Sequence, residues 1–199
     1  MGTKELRGRD VWQDYSGANA GIAERGFYEV FDKHLVGSDF WIDAKPKEFK
    51  RIYVDQPLSD HVISQIYTPD EPIKNHGITP DYAIRNRVTG KTLYVEVKRQ
   101  DGWVEGKPRS AGRGNAHERS CKYFTPGLLD VLHEESGIAR PNLPFWTVFI
   151  GDITRDPCRV REITLWYGNH RNHFFMWRDL KNADPIVAHF ETHLKQLLL

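Results

Sequence analysis

The sequence predicts an α/β (α+β) fold, a mixed central β-sheet flanked by helices. Three observations carry this expectation. Residues 81–99 hold two segments of period-two apolar alternation, "LPFWTVFIGDI" (143–153) is a nearly continuous apolar run, and helical periodicities open and close the chain. An apolar run without alternation is what a strand needs when both sheet faces are covered.

Each element has its own signal. After a polar N-terminal arm, residues 16–37 read as a helix: Ser16 can cap it, and Ala23, Phe27, Val30, Phe31 and His34 recur at helical spacing before Gly37 ends it. "KPKEFKRIYV" brings Lys45, Lys47, Lys50 and Arg51 together, as either a solvated face or a phosphate-contacting one. "LSDHVISQIY" reads as a short helix with Val62, Ile63 and Ile66 turned inward.

Two strands follow. Tyr82 and Ile84 share one face and Asp81 and Ala83 the other; on the return strand Leu93, Val95 and Val97 oppose Tyr94, Glu96 and Lys98. A tight turn at Thr89–Gly90 sets Asp81 across from Lys98, with Glu96 one step along the same face. Residues 100–114 form a long Gly-rich loop carrying Lys107, Arg109 and Arg113. "NAHERSCKYF" reads as a helix, with Asn115 and Glu118 as a capping pair. Thr125 and Pro126 start the next helix as N-cap and first residue, "VREITLWYG" reads as a strand, and "PIVAHFETHLKQLLL" as a closing amphipathic helix.

With 199 residues, a single domain over 1–199 can bury its own core. Lys plus Arg is 28 against Asp plus Glu 27, so the charge total excludes no class of partner and the placement of charge must decide. Two cysteines, Cys121 and Cys158, make no disulfide framework and fit a reducing compartment. His117 and Cys121 have the i, i+4 spacing of helical metal ligands, but a partly packed histidine beside an inert thiol is the simpler reading. The N-terminus has no secretory h-region, and no apolar run approaches the ~20 residues that span a bilayer, so a soluble intracellular protein without a membrane partner is expected.

Asp81, Glu96 and Lys98 are charges that a strand pair built only to fill a core would not need. Two convergent carboxylates make a hard-oxygen site suited to Mg²⁺. A lysine two residues after the second carboxylate lies on the same side of the strand, able to hold a phosphate or to orient and deprotonate a water. That combination suits phosphodiester hydrolysis. The alternative is a salt bridge of Lys98 with Glu96 or Asp81, and the short pattern alone does not separate the two.

"PD" at Pro80–Asp81 and "EVK" at Glu96–Lys98 resemble the PD-(D/E)xK nuclease signature. The more specific string is "AGRGNAHERSCK" (111–122), whose "GNAHERS" resembles the recognition segment of the EcoRI/MunI-like group of type II restriction endonucleases. The resemblance implies a homodimeric, prokaryotic, cytoplasmic enzyme that cuts double-stranded DNA with Mg²⁺ as catalytic metal. It also implies a palindromic hexamer, C/AATTG with 5′ AATT ends, and a cognate DNA methyltransferase acting on the same site. Asp81, Glu96 and Lys98 would be catalytic, with Asp81 and Glu96 on the metal. Asn115, Ala116 and Arg119 would read the inner AATT, and Arg113 the outer C·G pair. Asn suits adenine and Arg suits guanine in the major groove, so the residue chemistry is compatible with these roles. Glu24, on the first helix, is a candidate extra acid behind the metal, or an ordinary exposed helix glutamate.

Two other functions have a footing in the sequence. His170, Asn172 and His173 in "GNHRNHFF" echo the histidine core of HNH nucleases, although no ββα finger surrounds them. A sequence-specific DNA-binding protein without cleavage would need the reader helix but no metal ligands.

Overall fold

The computed structural model describes residues 25–65, 74–101 and 117–199. Five strands form one sheet in the order β1-β2-β3-β4-β5: Phe40–Ala44, Tyr82–Asn86, Thr92–Arg99, Phe145–Ile150 and Phe174–Trp177. Pairing is antiparallel from β1 to β3 and parallel from β3 to β5, so the sheet is mixed as expected.

Both faces are covered. Helix α1 (25–34 of the described residues) lays Phe27 and Phe31 on one face, against Ile84, Val95, Trp146 and Val148. The same face receives Ile186, Phe190, Leu194 and Leu198 from the C-terminal helix, which begins as α5 (Asp184–His189) and continues through a π turn into a 3₁₀ turn. The opposite face packs Ala83, Tyr94, Phe145 and Phe149 against Tyr123, Leu128, Leu132, Ile163 and Tyr167. These last residues come from a 3₁₀ helix (Glu118–Phe124), α3 (Pro126–Ser136) and α4 (Pro157–Tyr167). All six residues of β4 are buried, which is why that segment shows no alternation.

Several sequence expectations are corrected. "VREITLWYG" is not a strand but most of α4. Asp156 caps it by accepting hydrogen bonds from the amides of Cys158 and Arg159, and Pro157 stands at the first turn. Ile163 and Tyr167, four apart, are its buried residues, while Leu165 stays exposed; dense β-branched and aromatic residues hid that helical stripe. Val62 and Ile63 are exposed rather than inward, because α2 (Asp60–Ile63) is a single turn and buries nothing; Ile66 lies outside the described residues. "NAHERSCKYF" is a 3₁₀ helix from Glu118, with His117 at its N-cap position and no side-chain cap; Asn115 lies outside the described residues. Strands β1 and β5 were not anticipated at all.

Gly77 fixes the approach to β2. A Cβ there would fall 1.9 Å from the carbonyl oxygen of Phe49, so only glycine lets the chain pass. Next to it, the amide of Ile78 donates to that oxygen at 3.1 Å. Asp81 is delivered at the start of β2 by this contact.

Candidate active site

The face of the hairpin that carries the charges is assembled by register. Tyr82 pairs with Val95 and Ala83 with Tyr94, so continuing the ladder by one residue sets Asp81 opposite Glu96. The sequence reading had put Lys98 there. The slip is two residues, and an even slip keeps every side chain on its face, so the three charges still converge.

Their contacts are specific. Asp81 Oδ2 accepts from the amide of Val97 at 2.8 Å, and the amide of Asp81 donates to Glu96 Oε2 at 3.3 Å. Lys98 Nζ donates to Glu96 Oε1 at 2.5 Å and lies 3.9 Å from Asp81 Oδ2. Lys45 Nζ, which had no assigned place in the site, donates to Asp81 Oδ1 at 2.6 Å. Each carboxylate thus has one oxygen on a backbone amide and the other on a lysine. The salt bridge of Lys98 with Glu96, offered above as the alternative to a metal site, does form, within the same cluster of charges.

Asp81 and Glu96 are 7% and 6% exposed. Burial pushes the Glu96 carboxyl above its ordinary range; Lys98 opposes that shift and the charge of Asp81 adds to it. Two close, buried carboxylates make a donor set of hard oxygens. Among the described residues no group of three or more His, Cys, Asp or Glu could hold a metal. Two such carboxylates are a donor set for a hard divalent cation that keeps several waters.

Behind Glu96 stands Tyr123 of the 3₁₀ helix. Its hydroxyl is buried without a hydrogen bond of acceptable geometry, and burial together with the charge of Glu96 raises its pKa. Farther along the same face Arg85 binds Asp43, Glu48 and Thr92.

Of the candidate DNA-reading residues, Arg119 lies on the exposed side of the 3₁₀ helix. Arg113, Asn115, Ala116 and Glu24 lie outside the described residues. The residue that closes the reader segment is described: His117 is fully buried. Its Nδ1 is 2.9 Å from Gln100 Oε1, its Nε2 is 3.3 Å from Glu162 Oε2, and its ring stacks on Trp166. Gln100 follows the end of β3, so this histidine ties the start of the 3₁₀ helix to β3. Burial and the nearby Arg159 lower its pKa. His117 is a packed histidine, buried completely where the sequence suggested only partial packing.

The basic run splits. Lys47 and Lys50 are exposed, and Arg51 pairs with Asp55 at 3.0 Å. His173 is buried with Nδ1 3.0 Å from the carbonyl oxygen of Phe145, which leaves the HNH echo without an open histidine cluster. No helix among the described residues is long and apolar enough to cross a membrane.

A crystal structure of MunI restriction endonuclease in complex with cognate DNA superposes with a TM-score of 0.82 and 48% identity, over 94% of this chain and 97% of that one. The type II restriction enzyme MunI of Mycoplasma sp is 50% identical over 201 residues, covering 100% of both chains. The model of the family described as type II restriction enzyme MunI matches residues 1–199. Enzymes of this type cut DNA at specific sites and use divalent metal. The chain belongs to the MunI family of type II restriction endonucleases, site-specific deoxyribonucleases that act on DNA.

Proposed function

We propose that this endonuclease hydrolyses double-stranded DNA at the palindromic hexamer C/AATTG with Mg²⁺ as its metal, leaving 5′ AATT ends. The observation that carries the reading is the meeting of Asp81 and Glu96, each held by a backbone amide, with Lys98 against them. When bound, the divalent ion supplies positive charge that polarises the scissile phosphoryl oxygen and steadies the leaving oxygen. Asp81 and Glu96 would hold it. The amides of Val97 and Asp81 keep both carboxylates aimed while charge shifts around them. Lys98 exchanges Glu96 for the water or phosphate beside it: as an ammonium it orients the water and balances the phosphate charge, and it takes the water's proton only after giving up one of its own.

Recognition is assigned to Asn115, Ala116 and Arg119 for the inner AATT and to Arg113 for the outer pair, with Glu24 as an added acid near the metal. A palindromic site calls for a homodimer in which each subunit reads one half-site. The single domain over 1–199 carries both cutting and reading. The enzyme works in a prokaryotic cytoplasm, alongside a methyltransferase that protects the same hexamer.

Digesting a plasmid with Mg²⁺ or with EDTA and sequencing the ends tests site, stagger and metal together. Discrete fragments with 5′ AATT ends in Mg²⁺ alone are expected. A gel shift without cleavage under both conditions would leave a DNA-binding protein instead.

A further inference from the structure

We propose that Lys45 is a fourth member of the charged site, an internal counter-ion that competes with the divalent cation for Asp81. The proposal rests on the metal-site reading of Asp81 and Glu96 given above.

Lys45 is brought there by backbone as well as by side chain. Strand β1 pairs with β2 through Ala44 and Tyr82, and the next rung is the amide of Lys45 donating to the carbonyl oxygen of Asp81 at 2.9 Å. At that rung Lys45 adopts φ of 51°, the sole positive φ of a non-glycine residue among the described residues. A left-handed lysine is sparsely populated and persists where surroundings hold it, often at functional sites. In this case the Nζ ends 2.6 Å from Asp81 Oδ1. Its side chain is 51% exposed against 10% for Asp81, a movable outer partner on a fixed inner one.

Charge and geometry explain the consequence. The inner oxygens Asp81 Oδ2 and Glu96 Oε2 accept backbone amides, which leaves Asp81 Oδ1 and Glu96 Oε1 as the outer oxygens of the two residues that would hold a cation. Both carry a lysine: Lys45 on the first and Lys98 on the second. Each carboxylate has an ammonium partner, and a divalent cation would bring positive charge to the same two carboxylates. Holding the metal therefore requires Lys45 to let go, and its half-exposed side chain gives the ammonium a route back to solvent. The lysine keeps the buried pair neutralised at low metal concentration and weakens the grip on metal by the strength of its own ion pair.

The test compares wild type with Lys45→Gly, Lys45→Arg and Asp81→Asn. Glycine removes the ammonium and suits the positive φ, so the fold is spared. Two quantities are measured: Mn²⁺ uptake by the protein, from the loss of free-ion electron paramagnetic resonance, and the Mg²⁺ concentration giving half-maximal cleavage. An exposed ion pair is of a size that corresponds to about a two- to fivefold change in affinity. Lys45→Gly is expected to lower both metal midpoints by about that factor, and Lys45→Arg to stay at or above wild type. Midpoints unchanged or raised in Lys45→Gly, with uptake lost in Asp81→Asn, overturn the role of Lys45 and leave the carboxylate site intact. Uptake unchanged in Asp81→Asn removes the site itself.

Discussion

The two faces of β3 are buried almost equally and do opposite work. Leu93, Val95 and Val97 are 0%, 0% and 5% exposed and face an apolar layer from α1 and the C-terminal helix. Tyr94 and Glu96, between them, are 1% and 6% exposed, yet Glu96 belongs to a cluster of two carboxylates and two lysines. Burying apolar area is favourable without condition, whereas burying a carboxylate is unfavourable until amides and cations compensate it. The difference teaches how the site persists: one face of the strand stabilises the sheet, and the other keeps charges that a strand chosen for stability alone would lack.

Neutralising the charged face should separate activity from folding most sharply. Glu96→Gln or Asp81→Asn removes an oxygen of the proposed metal site, and cleavage should fall about 10³-fold or more, from a loss of about 4 kcal/mol of transition-state stabilisation. Folding should survive. The Glu96 pKa is raised in the folded protein, so its stabilising contribution is present below the ordinary carboxyl value and lost as pH rises through the folded value. Glu96→Gln should remove that slope and leave the melting temperature at neutral pH equal to wild type or higher. Plasmid cleavage rates beside melting curves decide it: a large loss of stability would make Glu96 a structural residue.

Leu93→Ala is the counterpart on the apolar face. Leu93 is fully buried, so truncation should cost about 2–5 kcal/mol in urea unfolding while folded molecules still cut DNA. Cleavage lost from a sample that remains folded would end the division of labour between the faces.

How much of this was legible in the sequence follows from range. The hairpin faces came from alternation, a local property, and β4 from an unbroken apolar run. Register is not local: Thr89 and Gly90 marked the turn, but the rung that pairs Tyr82 with Val95 lies two residues from the one inferred. Because two is even, Asp81, Glu96 and Lys98 met regardless. Lys45 could not be placed, since 36 residues separate it from Asp81 and β1 had not been recognised. In α4 the signal was present, as Asp156 before Pro157, but residues such as Val160, Ile163 and Trp166 outweighed it. The reader role given to the strings around Asn115 rests on resemblance alone.

A buried polar group outside the site offers a milder comparison. His173 lies under β4, and burial lowers its pKa to about 4. Its neutral form is the folded form, so the stability it contributes is present above its ordinary value near 6.5 and is lost as pH falls toward 4. The loss should reach about 3 kcal/mol at most. Urea midpoints at pH 7 and pH 4.5 should show it, and His173→Gln should flatten the change. An unaltered slope in that variant would place the acid sensitivity elsewhere, with His117 the next histidine to replace.

The smallest effect concerns Tyr123, where the two kinds of burial touch. Its ring packs among the apolar residues beneath β3, while its hydroxyl sits near enough to Glu96 to feel that charge without a hydrogen bond of acceptable geometry. A buried hydroxyl without a partner is a net cost, so Tyr123→Phe should raise stability by about 1 kcal/mol. If the hydroxyl instead donated to ionised Glu96, the same change would lower stability and move the acid limb of the cleavage profile upward, because Glu96 would ionise less readily. Melting temperature and the pH dependence of cleavage, measured on one pair of proteins, therefore separate the outcomes. A more stable variant with an unmoved acid limb keeps Tyr123 with the apolar packing. A less stable variant with a shifted limb transfers it to the charged face, and the 3₁₀ helix bearing Arg119 then acts on the Glu96 carboxylate directly.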